Sequence, residues 1–150
     1  SMDKKFMSAA LSLAREAAEK NEIPVGAVVV KNNEIIGRGR NRREETHDPS
    51  SHAEIEAIRD AAKSLGTWKL DGCSLYVTLE PCVMCTGAII NARISELVFG
   101  AFDLSAGCAD SAANLFSLPF SNGCKIFGGI AEEECKSLIT DFFKDLRKPN

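Results

Sequence analysis

Two short motifs carry the residue types that catalytic metal chemistry needs. His52-Ala53-Glu54 places an imidazole two residues before a carboxylate, and Pro81-Cys82-Val83-Met84-Cys85 places two thiols three residues apart. One imidazole and two thiolates make a three-ligand zinc site, which leaves the fourth tetrahedral position open for water. Water on zinc loses a proton near neutral pH. The sequence therefore predicts a catalytic Zn²⁺ centre held by His52, Cys82 and Cys85, with Glu54 as the proton carrier.

Each motif has a simpler interpretation when it is taken alone. A single Cys-x-x-Cys is often a redox pair or half of a structural zinc knuckle. A lone histidine is more often a capping or surface residue, and an acidic residue in the first turn of a helix is favoured by the helix dipole. Here the two motifs occur together, each at a predicted helix start, and no second Cys-x-x-Cys follows. The combination favours an open, catalytic site.

Both motifs must be positioned by the secondary structure around them. Apolar residues with helical spacing predict helices over 4–21, 52–65, 82–92 and 131–146, with a short helical segment at 113–117. Short apolar runs predict strands over 26–31, 34–39, 74–79, 96–100 and 124–127, the first two joined by an Asn32-Asn33 turn. Strands that alternate with helices predict an α/β fold, with a mixed sheet of about five strands covered on both faces.

The composition limits the class of protein. The 150 residues are 45% hydrophobic and 26% charged, which is typical of a globular domain and excludes collagen-like, coiled-coil and disordered chains. No linker or internal repeat is evident, so one domain is expected over 2–150, with Ser1 interpreted as the remnant of a cleaved tag. The first apolar stretch continues as an amphipathic helix, so it is not interpreted as a secretory signal. A cytoplasmic protein with no membrane segment is expected.

The net charge limits how the protein could bind nucleic acid, and the spacing of the cysteines indicates which of them are structural. A net charge of −3 provides no global positive field, so any contact with nucleic acid needs a local patch. Candidates for such a patch are Arg38, Arg40, Arg42 and Arg43, with Lys144, Arg147 and Lys148 near the C-terminus, although such a run is more often just a solvated face. The cysteines outside the motif are expected to be reduced, small residues of the core or loops: Cys73, Cys108, Cys124 and Cys135.

Further stretches of sequence match one family. They are Ile23-Pro24-Val25-Gly26-Ala27-Val28-Val29-Val30, Asn41, His47-Asp48-Pro49, Leu75-Tyr76-Val77-Thr78-Leu79-Glu80 and Asp141-Phe142-Phe143. The two central motifs are the general signature of zinc-dependent nucleobase deaminases, of which tRNA adenosine deaminases are a known example. With these stretches, the chain resembles bacterial tRNA adenosine deaminases from about residue 6 to 147. The resemblance implies a three-layer α/β/α, cytidine-deaminase-like fold, a homodimer, and conversion of the wobble adenosine of a tRNA anticodon stem-loop to inosine, with zinc and no organic cofactor.

The resemblance also assigns roles to residues outside the two motifs. Glu54 is expected to move a proton from water to the base and then to the departing ammonia. Asn41 is expected to hydrogen-bond the flipped base, although an asparagine there could also be a turn residue. Gly26 could let the backbone approach the base or ease strand packing. Asp103 is expected to contact RNA, and Phe143 either contacts RNA or packs in the core.

Three positions depart from the family pattern and leave the substrate open. Phe102 is bulkier than expected beside a nucleic acid, Leu104-Ser105 stands where many members have a lysine, and Gly123 stands where a histidine is common. These changes touch recognition and leave the zinc chemistry alone. Two alternatives therefore stay open: a deaminase of a free nucleobase or nucleoside such as guanine or cytosine, and a non-catalytic RNA-binding module braced by zinc. The particular tRNA is left open as well.

Overall fold

The computed structural model describes residues 4–147. Helices in this range are α1 (Lys4–Glu19), α2 (Arg43–Thr46), α3 (Ala53–Leu65), α4 (Val83–Asn91) and α5 (Glu132–Leu146), with 3₁₀ turns at Leu115–Ser117 and Pro119–Ser121. The strands are β1 (Gly26–Lys31), β2 (Glu34–Arg40), β3 (Ser74–Leu79), β4 (Glu96–Ala101) and β5 (Lys125–Phe127).

The strands form one mixed sheet in the order β2-β1-β3-β4-β5. β1 is antiparallel to both β2 and β3, whereas β3, β4 and β5 run parallel. The β1–β2 hairpin turns at Asn32 and Asn33, whose φ angles of 50° and 64° suit a type I′ turn. The predicted mixed sheet of about five strands is confirmed.

Helices cover both faces of this sheet. α1 and α5 pack on one face, and α3 and α4 pack on the other. Side chains alternate along each strand, so Val28 and Tyr76 belong to the α1 side while Val29 and Val77 belong to the α3 side. The predicted three-layer α/β/α fold is therefore confirmed.

Close packing between α3 and β2 sets the position of the N-terminus of α3. A Cβ at Gly39 would lie 2.5 Å from the backbone nitrogen of Ala57, so only glycine lets the helix approach this closely. The small side chains of Ala53 and Ala57 line the contact. This approach holds the N-terminus of α3, where His52 and Glu54 lie, beside the end of β2.

The sequence-based bounds agree with the structure to within a few residues. Strands β1 and β3 have the predicted bounds, and the short helical segment expected at 113–117 is the 3₁₀ turn at Leu115–Ser117. Helix α2 was not predicted. Within residues 4–147 no helix is long and apolar enough to cross a membrane. The four scattered cysteines are free and buried, as expected.

Candidate active site

The three predicted metal ligands meet at the starts of two helices. His52 is the N-cap residue of α3, Cys82 is the N-cap residue of α4, and Cys85 lies in the first turn of α4. The Nδ1 atom of His52 lies 3.7 Å from the Cys82 sulfur and 3.5 Å from the Cys85 sulfur. Ligand atoms of all three residues lie within 4.8 Å of one another. The spacing of the two motifs therefore brings one imidazole and two thiols to a single point.

The protonation of the two thiols suits a cation. A hydrogen bond from the Cys85 thiol lowers the pKa of Cys82 to about 3, which favours the thiolate form of Cys82. The same hydrogen bond, together with burial, raises the pKa of Cys85. Two neighbouring thiolates repel each other, so the second thiol loses its proton less readily than the first. A divalent cation stabilises two adjacent thiolates, so this donor set fits zinc, which prefers nitrogen and sulfur ligands.

Glu54 lies beside the metal-binding cluster in the first turn of α3. Its side chain is 4% exposed, and its carboxyl is within hydrogen-bonding reach of the Cys85 thiol. Burial raises the pKa of Glu54 to about 7. A carboxyl group that gains and loses its proton near neutral pH can act both as a base and as an acid. These properties are compatible with the predicted role of Glu54 as proton carrier, which stays a prediction.

A cleft of about 190 Å³ opens next to this cluster. Its lining includes His52, Glu54, Cys82 and Asn41. Asn41 is 5% exposed, and its Oδ1 atom has no hydrogen-bond partner among the described residues. A buried polar atom without a partner is rare in a folded protein and needs an explanation. A ligand that donates a hydrogen bond in the cleft would supply one.

Two other predicted substrate contacts lie at or next to the cleft. Asp103 lines it, but the Oδ1 atom of Asp103 already accepts hydrogen bonds from the backbone and hydroxyl of Ser105 and from the backbone of Ala106. Phe143 lines an adjoining groove that shares Ile23, Leu79 and Asp103 with the cleft. Contacts of Asp103 and Phe143 with RNA stay predictions.

Gly26 has a packing reason to be glycine. A Cβ at this position would lie 2.6 Å from the backbone nitrogen of Ala14 and would also collide with the carbonyl oxygen of Ala10. Both atoms belong to α1, so the missing side chain faces the helix. Residues Ile23 and Val25, just before Gly26, line the cleft. The structure supports the packing interpretation, and a role for Gly26 in substrate binding stays a prediction.

The arginine run divides into two groups. Arg40 is buried and binds Glu45 at 2.8 Å and Glu16 at 3.5 Å, while Arg42 binds Glu45 at 2.8 Å and Glu56 at 3.1 Å. These two arginines are occupied by carboxylates of the protein. Exposed Arg38 and Arg43 remain as candidates for a phosphate contact, and Arg43 is the one arginine or lysine that lines the cleft within residues 4–147. Lys148 lies outside the described residues.

One residue of the cleft was missed by sequence reasoning. Glu80 is 2% exposed, and it receives hydrogen bonds from a loop some thirty residues further on, including those from the backbone of Asp103 and Asp110. Burial raises the pKa of Glu80, but hydrogen bonds from Ser111, Asp103 and Asp110 outweigh burial, so this pKa lies below its ordinary value. A glutamate before Pro81 carries no signal that would reveal these partners.

Comparison with known proteins agrees with this geometry. A family model described as MafB19-like deaminase matches residues 2–147. The tRNA-specific adenosine deaminase of Bacillus subtilis (strain 168) is 46% identical over 97% of this chain and 91% of its own length. The chain belongs to the tRNA-specific adenosine deaminase family.

Solved structures of the deaminase fold extend the comparison. A structure from a study of A-to-I editing by tRNA:A34 deaminases at the wobble position of transfer RNA is 43% identical. It has a TM-score of 0.88 and covers 91% of this chain and 99% of its own. A guanine deaminase from Bacillus subtilis is 32% identical, with a TM-score of 0.64, and covers 79% of this chain and 86% of its own. The first deaminase is the more similar in both sequence and fold.

The three departures from the family pattern lie in different places in this deaminase. Phe102 packs edge-on against Phe99, with ring centroids 5.0 Å apart, and lines the groove next to the cleft. Ser105 folds back onto Asp103. Gly123 has a φ of 70° and precedes β5, at the opposite end of the parallel strands from the cleft. The first two departures line the groove next to the cleft, and Gly123 lies away from both.

Proposed function

We propose that this protein hydrolyses the wobble adenosine of a tRNA anticodon stem-loop to inosine, using Zn²⁺ held by His52, Cys82 and Cys85. The observation that carries the proposal is the unpaired Asn41 amide oxygen in the cleft that also holds Glu54. The amino group of adenine is a hydrogen-bond donor of the kind this oxygen lacks. Relatives named tRNA-specific adenosine deaminases support tRNA as the substrate, and with it the cytoplasm as the place of action.

Glu54 performs the proton transfers of this reaction. When bound, zinc supplies a water whose pKa is lowered to about 7, which makes that water a nucleophile at neutral pH. Glu54 accepts a proton from the attacking water and gives it to the ring nitrogen of the base. It then delivers the second proton of the water to the departing amino group. Water and the aminopurine thereby become the oxo product and ammonia.

The cleft walls orient the base and limit the access of bulk water. Ile23, Val25 and Leu79 give the cleft an apolar wall against which a flat ring can pack. The Asn41 oxygen then fixes the rotation of the ring. Exposed Arg43 lies where a phosphate of the flanking nucleotides can bind.

A turnover assay with a matched pair of variants tests the chemistry and the substrate together. Zinc-loaded protein is incubated with a wobble-adenosine stem-loop, and inosine and ammonia are measured. Glu54→Gln should lose about 10²- to 10⁴-fold in kcat while keeping its zinc. Glu56→Gln is the control, because Glu56 lies in the same helical turn but pairs with Arg42. Unchanged turnover in Glu54→Gln would refute the assigned role, whereas an unmodified protein that binds zinc but turns over none of the substrates would favour the non-catalytic module.

Free adenine, guanine, cytosine and cytidine form the second arm of this assay. The guanine deaminase neighbour shares the fold, so this arm decides between a base in RNA and a free base. Deamination of a free base with no inosine in the stem-loop would overturn the proposed substrate. Turnover that falls as salt rises supports the tRNA proposal, because a polyanionic substrate releases counterions on binding.

The proposal includes a homodimer, as the family resemblance implies. Val83, at the start of α4, is 64% exposed and offers apolar surface next to Cys82. Light scattering at assay concentration measures the mass. A mass near 16.2 kDa, that of the single chain, would contradict the dimer and leave the proposed chemistry intact.

A further inference from the structure

Glu80 occupies the centre of a long loop that borders the cleft. We call residues 102–111 the cleft loop, because Asp103 and Ala106 within it line the cleft. The carboxylate of Glu80 accepts five hydrogen bonds, all from this loop: from the backbone N–H groups of Asp103, Ala109, Asp110 and Ser111, and from the Ser111 hydroxyl. One buried side chain therefore joins both ends of the cleft loop.

The loop also passes directly over the carboxylate. A Cβ at Gly107 would lie 2.6 Å from the carbonyl oxygen of Asp103 and would collide with the carboxyl group of Glu80. The N–H of Gly107 donates to that same Asp103 carbonyl at 2.8 Å. The backbone at Gly107 therefore lies so close to the Glu80 carboxylate that only glycine fits there.

Glu80 connects this loop to the metal-binding segment. Its own N–H donates to Ala101 at 2.8 Å, which ties the end of β3 to the end of β4. The next residue, Pro81, accepts a hydrogen bond from the N–H of Cys108 at 2.8 Å, and Cys82 follows directly. The position of the cleft loop relative to Cys82 therefore depends on two adjacent residues, Glu80 and Pro81.

We propose that Glu80 is a positioning residue, which holds the cleft loop at the distance from the metal-binding cluster that the RNA substrate requires. The proposal rests on the proposed function for its substrate, and its structural part stands without it. The groups assigned to proton transfer and metal binding, Glu54, His52, Cys82 and Cys85, all lie outside the loop. Loosening the loop should therefore weaken substrate binding more than it slows the chemical step.

The test compares Glu80→Gln with Glu96→Gln. Glutamine replaces one carboxylate oxygen with an NH₂ group, which cannot accept hydrogen bonds. The loop hydrogen bonds to that oxygen are therefore lost. Glu96 lies at the start of β4, far along the strand from the cleft, where it accepts one hydrogen bond from Ser74 at 3.2 Å. Both variants make the same chemical change to a partly or fully buried carboxylate.

Three quantities are measured on the zinc-loaded proteins: amide hydrogen exchange, bound zinc, and the kinetic constants on the stem-loop. Glu80→Gln should exchange faster at the amides of 103–111, keep its zinc, and raise KM roughly tenfold with a smaller change in kcat, since tenfold in affinity corresponds to about 1.4 kcal/mol. Glu96→Gln should leave loop exchange and KM unchanged. A loss of kcat in Glu80→Gln with no change in KM would overturn the proposal. Unchanged amide exchange in the cleft loop would overturn it as well.

A second variant keeps the test decisive if Glu80→Gln does not fold. Gly107→Ala leaves Glu80 intact and displaces the loop from the other side, so it should produce the same exchange and KM pattern. A normal KM in Gly107→Ala despite faster exchange would refute the coupling to substrate. If the unmodified protein leaves the stem-loop unchanged, the proposed function fails, while hydrogen exchange still decides whether Glu80 holds the loop.

Discussion

Asn41→Leu should make this protein more stable and less active. Leucine is close to asparagine in shape and removes the buried amide oxygen that has no partner. An unsatisfied buried polar group costs about 1–3 kcal/mol, so the variant should gain stability in this range. For a chain of 150 residues, each kcal/mol corresponds to a rise in Tm of about 2–4 °C.

The same substitution removes the hydrogen bond that we assign to the base. A lost hydrogen bond of about 1–3 kcal/mol in the transition state lowers kcat/KM by about 5- to 150-fold. Differential scanning calorimetry and stem-loop turnover on one preparation measure both effects. A gain in stability together with a loss of activity is the pattern of a polar group kept for function.

Asn114→Leu is the matched control for Asn41→Leu. The side-chain oxygen of Asn114 accepts a hydrogen bond from the N–H of Phe116 at 3.0 Å and caps a 3₁₀ turn. This variant should lose about 1 kcal/mol and keep its activity. If Asn41→Leu instead lowers Tm, its amide oxygen has a partner in the free protein and the reasoning from an unpaired oxygen is refuted. If kcat/KM is unchanged, Asn41 does not bind the base.

Three further predictions concern packing, pH and metal. Gly26→Ala should lower the free energy of unfolding by about 1–3 kcal/mol, measured in urea, because the new Cβ meets the α1 backbone. Its KM should be unchanged at a low temperature, at which the variant stays folded. A raised KM without loss of stability would instead place Gly26 in substrate binding. Hydrogen bonds from Arg40 and Arg42 lower the pKa of Glu45 to about 2 from 4.5, so its contribution is complete above pH 4.5 and is lost as pH falls towards 2. The Tm difference between wild type and Glu45→Gln should therefore shrink between pH 5 and pH 3, and a constant difference would contradict this. Cys82→Ser should lose zinc, measured by mass spectrometry of the metal, whereas Cys108→Ala should retain it. Loss of zinc in both would make Cys108 a further ligand.

Local signals in the sequence were sufficient for most of the fold. Alternating apolar residues and the Asn32-Asn33 turn predict the first hairpin, because strand period and turn chemistry are properties of neighbouring residues. The bounds of β1 and β3 follow from the same patterns. Helix α2 was missed because it is a single turn without a buried residue, so it has no apolar periodicity to detect.

The sequence was enough to predict which residues cluster where residue type and motif spacing decide it, and not where distant partners decide it. The types and spacing of His52, Cys82 and Cys85 were enough to predict that these side chains lie together. The run of arginines looked like one patch, but Glu16 and Glu45 neutralise Arg40 from other elements. Such pairings depend on tertiary contacts, so no pattern along the chain reveals them.

The order of the functional residues along the chain has a consequence for how substrate preference can change. The proposed metal ligands and Glu54 lie in one uninterrupted stretch, from His52 to Cys85, built on two helices and the strand between them. Residues that line the cleft and that we propose face the substrate flank that stretch, with Asn41 before it and the cleft loop after it. Mutations can therefore accumulate on either side and select a new nucleobase or a new RNA while the hydrolytic apparatus is inherited unchanged.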